Sequence, residues 1–401
     1  MLKTTSNAKA SQVGGPVWAC GPSRVIGLTP LIFPGLAAVI LENIPAKAHI
    51  IRTMLTPFEK LAYTARQGAR VAWYMGHGLA AGQFRKTKSG VSEVARDKPR
   101  QKGPGIERLL GSLASTFQRD LDNVAAGYYP LPRDADGSPA RLLKTSRAFL
   151  ADVPVAAERK AKGEGTEVYS HDKAQELPAY FLQNFHYQTG GYLTEDSAEI
   201  YDMQTEVLFS GSTNAMRREC LVPLWQFMRG RDQRKTKIAD IACGTGRFGR
   251  FIKQAYPRID LTLSDLSDAY LAEAKRHLKG YSTVSYEVAN AEKLPFADAS
   301  LDVVTSIYLF HEVPPKVRRI IAGEFARVLK PGGRLIFMDS LQLGDVEGYD
   351  GMLQSFPVNF HEPYYGSYIK EDLADIFTEA GLVHTESRPV FLSKLVVCDK
   401  S

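Results

Sequence analysis

The residues whose types and spacing most directly indicate ligand binding are 240–246, Asp-Ile-Ala-Cys-Gly-Thr-Gly. They follow a short apolar run, residues 238–242, and precede a helical pattern. Glycines in such a turn let the backbone bend tightly and approach a ligand without an intervening Cβ atom. Gly244, Gly246 and Gly249 also have the G-x-G-x-x-G spacing of dinucleotide-binding loops. The glycines alone therefore do not distinguish a dinucleotide from another kind of ligand.

The acid before these glycines favours a ligand with a positive charge. Asp240 would oppose a pyrophosphate, because two negative charges would face each other, whereas it suits an ammonium group. The loop also lies in the middle of the chain, after a helical region, instead of opening the first strand of a long two-lobed sheet. The loop therefore predicts a ligand such as S-adenosylmethionine, whose methionine part carries an ammonium group.

Four further features follow this loop in a fixed order. They are Asp265 at the end of the second predicted strand, Asn290-Ala-Glu-Lys-Leu-Pro-Phe after the third, Asp302 at the start of the fourth, and Glu324-Phe-Ala-Arg-Val-Leu-Lys-Pro-Gly-Gly before the fifth. Together with the loop, they resemble the class I S-adenosylmethionine-dependent methyltransferases of the type 11 group, which includes ubiquinone and menaquinone biosynthesis enzymes. The resemblance covers residues 200–401.

This resemblance implies S-adenosylmethionine as the cofactor and assigns contacts to it. An acid at the position of Asp265 accepts hydrogen bonds from both ribose hydroxyls. Asn290 stands where the family usually has an Asp that contacts the adenine amino group, and its carbonyl can accept the same bond. The predicted cofactor-binding residues are Asp240, Cys243, Gly244, Thr245, Gly246, Asp265, Leu266, Asn290, Ala291 and Tyr308.

Three histidines are candidates for catalysis. His311 follows the fourth predicted strand, where ligands bind in open α/β sheets, and the ordinary pKa of histidine suits a general base. His186 belongs to an aromatic stretch, residues 184–192, placed like the lid that covers the cofactor in many such enzymes. His361 belongs to an insert, residues 359–368, where the family builds acceptor specificity. The predicted acceptor contacts in these two segments are Tyr187, Tyr192, Tyr364, Tyr365 and Tyr368.

Each of these residues also has a simpler structural interpretation. His311 could shape the cofactor pocket or cap the next helix, and the aromatic lid could be ordinary core packing. Asp339, which ends the fifth predicted strand, could orient an acceptor hydroxyl or cap a loop. Methyl transfer from a sulfonium needs mainly alignment and exclusion of water, and a base only where the acceptor loses a proton. A methyltransferase is therefore predicted whether or not one of these histidines is a base.

The elements that must position these residues follow from the pattern of apolar positions. From residue 237 onward, short apolar strands alternate with helical patterns, which predicts a Rossmann-like, doubly wound, mostly parallel α/β sheet of seven strands. The patterns at 57–84 and 106–124 are helical. We predict a disordered or apolar tail at 1–42, a helical region at 43–180 with a basic linker at 85–104, and a methyltransferase domain at 181–401 with its lid at 181–230.

Composition limits the class of protein. The chain has 401 residues, of which 44% are hydrophobic and 23% charged, as in ordinary globular proteins of two or three units. Its formal net charge of +6 permits contact with an anionic surface without demanding it. Four cysteines without metal-ligand spacing argue against a disulfide framework, and no metal is predicted. The apolar run at 25–41 is short for a membrane helix and is broken by prolines.

The predicted partner is a small-molecule or lipid acceptor. The basic aromatic helix at 57–84 and the apolar run at 25–41 are compatible with peripheral membrane contact, or with a helical cap on the catalytic domain. Nucleic acid is not a predicted partner, because the basic linker is short and no Asn-Pro-Pro-Tyr motif occurs. A cytoplasmic location is expected, with organelle import as the alternative because residues 1–41 contain no acid.

We therefore predict an S-adenosylmethionine-dependent methyltransferase that acts on a small, aromatic or lipophilic acceptor. Two alternatives stay open at this point. One is a cofactor-binding scaffold or regulatory protein without turnover. The other is an NAD-type oxidoreductase that uses the dinucleotide version of the glycine loop.

Overall fold

Apolar segments of the C-terminal half pair side by side to form the sheet. The computed structural model describes residues 55–88, 103–134, 136–172 and 174–401. The strands in those ranges are Lys237–Ile241 (β1), Asp260–Asp265 (β2), Val284–Val288 (β3), Leu301–Ile307 (β4), Leu329–Ser340 (β5), Leu382–Val390 (β6) and Ser393–Lys400 (β7). These seven strands of the described residues form one sheet in the order β3-β2-β1-β4-β5-β7-β6. β1 to β5 pair in parallel, and β7 is antiparallel to both neighbours.

Successive residues of the central strands pack on opposite faces of this sheet. Ala239 and Val304 belong to one buried apolar cluster, whereas Ile238 and Val303 belong to another. Side chains alternate along a strand, so a sheet that is covered on both faces needs apolar residues at consecutive positions. The continuous apolar runs in the sequence are explained by this double burial, and the predicted doubly wound fold is confirmed.

Helices pack on the faces of the sheet and also form the N-terminal part of the described chain. They are Pro57–Lys88 (α1), Ile106–Ala125 (α2), Pro139–Lys162 (α3), Glu195–Leu208 (α4), Thr213–Arg218 (α5), Leu221–Met228 (α6), Arg247–Ala255 (α7), Asp268–His277 (α8), Pro315–Val328 (α9), Asp350–Asn359 (α10), Tyr365–Tyr368 (α11) and Leu373–Glu379 (α12). None of the helices in the described ranges is long and apolar enough to cross a bilayer.

Buried ion pairs join the helices before residue 180 to those after it. Arg218 of α5 pairs with Asp120 of α2 and with Asp134, each at 2.6 Å, and all three side chains are almost fully buried. Arg70 of α1 pairs with Glu206 of α4 at 2.8 Å. The described helices before residue 180 accordingly lie in the same compact unit as the sheet, Arg52–Ser401.

Helix α3 lies within the predicted helical region 43–180, but the sequence patterns gave no bounds for it. Ser138 caps it by accepting a hydrogen bond from the backbone N–H of Arg141, and Gly163 ends it with a φ of 70°. Phe149 and Val153 pack in a small buried cluster against α1 and α4, so tertiary contacts favour the helix although Pro154 interrupts its sequence. Part of the stretch at 156–166, which reads as polar and exposed, is therefore helical.

Several predicted boundaries also change. α1 extends to Lys88, so residues 85–88 of the predicted basic linker are helical. The rest of that linker up to residue 102 and the tail at 1–42, with its apolar run at 25–41, lie outside the described residues. β5 begins at Leu329 and not near Arg334, because its pairing with β4 shifts register and accommodates the Pro-Gly-Gly turn.

Candidate active site

The loop between β1 and α7 holds a buried acid with an unused oxygen. Asp240 is 2% exposed, and its Oδ1 accepts a hydrogen bond of 2.7 Å from the hydroxyl of Thr305 on β4. Its Oδ2 is buried and has no hydrogen-bond partner among the described residues. Burial, against the opposing hydrogen bond from Thr305, raises the pKa of Asp240 to about 7. A ligand ammonium would supply the missing donor and the missing positive charge, so this acid fits the methionine end of S-adenosylmethionine.

A second acid lies at the carboxyl end of the neighbouring strand. The Oδ2 atom of Asp265 accepts a hydrogen bond of 2.8 Å from the backbone N–H of Gly244, and its Oδ1 accepts one of 2.9 Å from that of Ser267. Burial raises the pKa of Asp265, although these backbone donors act in the opposite direction. A carboxylate oxygen can accept more than one hydrogen bond, so Asp265 retains the capacity to bind ribose hydroxyls.

The three glycines of the loop region have different roles. A Cβ atom on Gly244 would meet nothing closer than 4.0 Å, so this position leaves room for a ligand. A Cβ on Gly246 would lie 2.8 Å from the Cβ of Ala274 on α8, and one on Gly249 would lie 2.5 Å from Leu263 on β2. The contact of Gly246 with the cofactor stays a prediction, and the close approach of α8 is a separate reason for a glycine at this position. Of the three glycines with the dinucleotide-like spacing, Gly246 and Gly249 are thus explained by close packing, and Gly244 leaves room for a ligand.

A single cavity, here called the cofactor cavity, contains both acids. The predicted cofactor residues that line it are Asp240, Cys243, Gly244, Thr245, Asp265, Leu266, Asn290, Ala291 and Tyr308. Asn290 is held by its neighbours, because its Oδ1 accepts a hydrogen bond of 2.9 Å from the backbone N–H of Glu292. Tyr180 donates a hydrogen bond of 2.7 Å to the side chain of Glu292 and also lines the cavity.

Sequence patterns gave no indication of Arg217. It lies on α5, is 6% exposed and lines the cofactor cavity, and its guanidinium carbon is 5.9 Å from the centre of the Tyr308 ring. Its positive charge acts on Asp240, whose pKa it lowers against the effect of burial. Arg217 and Asp240 together offer a group of each sign to a ligand that carries both an ammonium and a carboxylate group.

Two residues next to the cavity have backbone conformations that non-glycine residues seldom adopt. Ala242 directly after β1 and Tyr308 directly after β4 have φ values of 55° and 66°. A left-handed conformation costs a non-glycine residue about 1–2 kcal/mol, and such residues cluster at functional sites. Both lie at the carboxyl edge of the sheet, where the loop and the cavity meet.

A second cavity of about 370 Å³, here called the acceptor cavity, adjoins the first. The two share five lining residues, Phe185, Tyr192, Tyr201, Tyr308 and Glu312. The other walls of the acceptor cavity are mostly apolar and come from α2, α10 and the turn between β6 and β7. They include Ile106, Leu109, Leu110, Leu113, Met352, Leu353, Phe356, Phe360, Phe391 and Leu392. This volume lies in the range of roughly 300–1,000 Å³ that is usual for small-molecule sites.

His311 lines the acceptor cavity and is followed in the chain by Glu312, which lines both cavities. It belongs to a short 3-10 helix, Phe310–Glu312, and its Nδ1 is 2.5 Å from Oδ1 of Asp339 at the end of β5. The other carboxylate oxygen of Asp339 accepts a hydrogen bond of 2.7 Å from the backbone N–H of Phe310. Burial lowers the pKa of His311, but the Asp339 carboxylate and the other acids nearby outweigh burial and raise it to about 9.

Two further acids surround this histidine. Glu312 accepts a hydrogen bond of 2.6 Å from the hydroxyl of Tyr192, and burial raises the pKa of Glu312. Glu362 is buried, and its Oε1 lies 2.9 Å from Nε2 of His186, which lines the acceptor cavity. No group of three or more His, Cys, Asp or Glu side chains in the described ranges is arranged to hold a metal ion.

The five predicted acceptor contacts and the predicted catalytic residue His361 divide into two groups. Tyr192 and Tyr365 line the acceptor cavity, as expected for acceptor contacts. Tyr187 and His361 lie outside both cavities, because their rings pack on each other at 5.3 Å and His361 Nε2 is 2.8 Å from the side-chain oxygen of Gln183. Tyr364 and Tyr368 also lie outside both cavities. The Tyr364 carbonyl accepts a hydrogen bond from Arg318, and Tyr368 is fully buried and donates one to the backbone of Ser340.

The sheet order, the loop after β1 and the acids at the ends of β1 and β2 are those of a class I S-adenosylmethionine-dependent methyltransferase domain. Residues 238–333 match a family model described as "Methyltransferase domain". The chain therefore contains a methyltransferase domain of this class, and S-adenosylmethionine is its cofactor.

Curated proteins of similar sequence match part of the chain. The chain is 33% identical over 140 residues to the ubiquinone/menaquinone biosynthesis C-methyltransferase of Desulfotalea psychrophila, covering 35% of this chain and 53% of that protein. It is 29% identical over 175 residues to the demethylmenaquinone methyltransferase of Thermotoga maritima, covering 44% and 71%. It is 32% identical over 123 residues to the malonyl-[acyl-carrier protein] O-methyltransferase of Methylococcus capsulatus, covering 31% and 44%. The chain thus spans about half the length of the first of these relatives.

Proposed function

We propose that the chain is a methyltransferase that transfers the methyl group of S-adenosylmethionine to a small, aromatic or lipophilic acceptor bound in the acceptor cavity. One observation carries this proposal. The two cavities share the side chains of Phe185, Tyr192, Tyr201, Tyr308 and Glu312, so no more than one layer of side chains lies between a donor in one and an acceptor in the other. Such juxtaposition is the main requirement of methyl transfer.

The residues of the cofactor cavity have separate tasks in this proposal. Asp240 and Arg217 bind the ammonium and carboxylate groups of the methionine end, and Asp265 binds the ribose. The cofactor supplies a methyl group on a positively charged sulfur. Aromatic rings attract such a cation by about 0.5–2 kcal/mol, and Tyr192, Tyr201 and Tyr308 provide rings that line both cavities. The same rings exclude water from the reacting atoms.

The walls of the acceptor cavity support a lipophilic acceptor. Ile106 and Leu110 of α2 line the cavity while 64% and 45% exposed, so the apolar wall extends to the protein surface. An acceptor with an apolar chain would cover these side chains and gain about 25 cal/mol for each Å² removed from water. Two relatives are named as a ubiquinone/menaquinone biosynthesis C-methyltransferase and a demethylmenaquinone methyltransferase, and these names are in line with an acceptor of this kind.

Peripheral contact with a membrane is a second proposal, and it rests on exposed apolar residues of α1 and α2. Phe58 and Leu79 of α1 are 77% and 73% exposed, and α2 exposes Ile106 at the edge of the acceptor cavity. Apolar side chains on such helices bind the interface between lipid head groups and chains. An acceptor dissolved in a bilayer would then reach the cavity without passing through water.

A labelling experiment tests the proposed function. The protein is incubated with S-adenosylmethionine carrying a labelled methyl group and with a lipid extract, and the products are identified by mass spectrometry. We expect label in the lipid phase. Label confined to protein or RNA would contradict a lipophilic acceptor. Calorimetric titration with S-adenosylhomocysteine and with NAD(H) separates methyl transfer from the oxidoreductase alternative, because we expect only the first ligand to bind.

A further inference from the structure

Helix α4 contributes to both cavities from one short stretch of its sequence. Tyr201 lines the two cavities, and Gln204, Thr205 and Leu208 line the acceptor cavity. Asp202, the residue after Tyr201, lines neither cavity and instead contacts the loop between β1 and α7. One helix therefore provides a wall of the acceptor cavity and a contact to the loop that binds the donor.

Asp202 uses both of its carboxylate oxygens on this loop. Its Oδ1 accepts a hydrogen bond of 2.8 Å from the hydroxyl of Thr245, and its Oδ2 accepts one of 2.7 Å from Nε of Arg247. Thr245 and Arg247 both line the cofactor cavity. The carboxylate thus bridges the end of the glycine loop and the first residue of α7.

The charges around Asp202 keep it ionised. Burial opposes the charged form, but Arg247 and the basic groups near it outweigh burial and hold the pKa of Asp202 below its usual range. Hydrogen bonds to an ionised acceptor are roughly twice as strong as those between neutral groups. The two bonds that join α4 to the loop are therefore of the stronger kind.

Thr245 is also held at its backbone. Nδ1 of His277 on α8 lies 2.8 Å from the Thr245 carbonyl oxygen, and a carbonyl only accepts, so Nδ1 carries a proton. Burial lowers the pKa of His277 to about 4, although Asp202 acts in the opposite direction, so this ring is neutral at pH 7. His277 lies within the matched segment 238–333, whereas Asp202 lies outside it. The methyltransferase segment thus holds the backbone of Thr245, and α4 holds its side chain.

Tyr201 brings α4 close to the donor itself. Its Cε1 atom is the nearest neighbour of a Cβ placed on Gly244, at 4.0 Å, and this is the open position of the loop. A donor that lies over Gly244 would contact this ring. Two consecutive residues of α4 therefore serve the donor site, one at the ligand and one at the loop.

We infer that Asp202 is a positioning residue that couples the two cavities. It holds the loop in the conformation that binds the donor, and a bound donor in turn holds α4 against the loop. The coupling is reciprocal, because two linked binding or folding equilibria change each other by the same factor. Its consequence for the acceptor, that a bound donor stabilises one wall of the acceptor cavity, rests on the proposed function.

Amide hydrogen exchange on the complete chain tests this coupling, with S-adenosylhomocysteine as the probe. We expect a saturating concentration of the probe to slow exchange in α4 by at least about tenfold, as a coupling of ordinary size would. In Asp202→Asn, which keeps the shape of the side chain and loses its charge, the slowing should fall below about twofold and the affinity for the probe about tenfold. Exchange in α4 that the probe leaves unchanged in the unaltered protein overturns the inference.

A control on the same helix separates coupling from stability. Asp196 is an exposed acid of α4 that lines neither cavity, so Asp196→Asn should keep both the tenfold slowing and the affinity. If Asp202 had a merely structural role, Asp202→Asn would speed exchange equally with and without the probe and leave their ratio unchanged. That outcome also overturns the inference.

Thr245→Val examines the same contact from the loop, and it decides the question if Asp202→Asn fails to fold. It removes the hydroxyl that Asp202 accepts from and leaves the bond from Arg247. We expect the slowing of exchange in α4 to fall to about threefold, and an unchanged slowing overturns the inference. Failure of the proposed function would instead appear as absence of label in the lipid phase, because the exchange measurements need no acceptor.

Discussion

The cofactor cavity and the acceptor cavity are built in opposite ways. The first is made mainly of residues at the carboxyl ends of β1, β2, β3 and β4, each within a short motif of the sequence. The second draws its walls from α2, the lid, the 3-10 helix after β4, α10 and the β6–β7 turn, which lie far apart in the chain. Donor binding is therefore encoded locally, whereas acceptor binding depends on how the helices pack.

The largest expected effect is on stability, and it comes from removing the buried ion pairs that join the helices around the two cavities. Arg218 ties α2, which walls the acceptor cavity, to α5, which carries Arg217 in the cofactor cavity. Arg218→Ala leaves Asp120 and Asp134 buried without their partner, which costs about 3–5 kcal/mol of unfolding free energy. Denaturant unfolding measures this loss.

The control for this variant is an exposed ion pair. Arg234→Ala removes the partner of Asp232 on the surface, and no measurable change in the free energy of unfolding is expected because solvent screens this pair. Equal losses in the two variants would show that the buried ion pairs do not hold the two cavities together.

The second largest effect concerns the donor side alone. Asp265→Ala removes the acceptor of the ribose hydroxyls and of the Gly244 N–H, and hydrogen bonds to a charged group are worth about 1.5–3 kcal/mol each. We expect at least about a 100-fold loss of S-adenosylhomocysteine affinity by calorimetry. Asp302→Ala, an acid of β4 that bonds the N–H of Lys237 and lines neither cavity, should bind normally. Normal binding by Asp265→Ala would refute the placement of the ribose.

A third prediction separates the acceptor side from the donor side. Leu110→Glu places a charge in the apolar wall of the acceptor cavity. We expect about a tenfold fall in lipid labelling, because an acceptor chain would then face a carboxylate, with S-adenosylhomocysteine affinity unchanged. Leu143→Glu on α3 is the matched control, since Leu143 is similarly exposed and lines neither cavity. Parallel losses in both variants would mean that α2 has no special part in acceptor binding.

The smallest effect is a pH dependence of donor binding. Burial holds the pKa of Asp240 at about 7 in the ligand-free protein, so the carboxyl group is largely protonated at pH 6 and charged at pH 8. An ammonium group binds the charged form, and affinity for S-adenosylhomocysteine should therefore rise by several-fold from pH 6 to pH 8. Asp240→Asn should bind more weakly at pH 8 and lose this rise. The same slope in the variant would assign the titration to another group.

Much of the donor side could be predicted from the sequence, because strands and their terminal acids lie within local patterns. Asp265 and Asn290 needed only the order of strands to be placed in one cavity. The close packing at Gly246 could not be predicted in this way, because it depends on the approach of α8. Arg217 could not be predicted either, since nothing in its sequence neighbourhood distinguishes it from Arg218.

The acceptor cavity was harder to predict from the sequence, and the reason is physical. His186 and His361 are both histidines in aromatic segments, yet one lines the acceptor cavity and the other packs on Tyr187. The packing of the helices determines which way such a side chain points. This orientation cannot be predicted from the residues nearby in the sequence. The bounds of helix α3 could not be predicted for a similar reason, because its stability comes from contacts of Phe149 and Val153 with distant helices.

The wall shared by the two cavities has a consequence for inhibitor design. Since only side chains such as Tyr192 and Tyr308 separate the two spaces, a single molecule can occupy both through a short tether. Joining an adenosine-type portion to a lipophilic portion in this way makes the binding of the second portion intramolecular, with an effective concentration of the order of millimolar. The selectivity of such a tethered compound would come from its lipophilic end, because that end meets walls contributed by helices outside the matched methyltransferase segment.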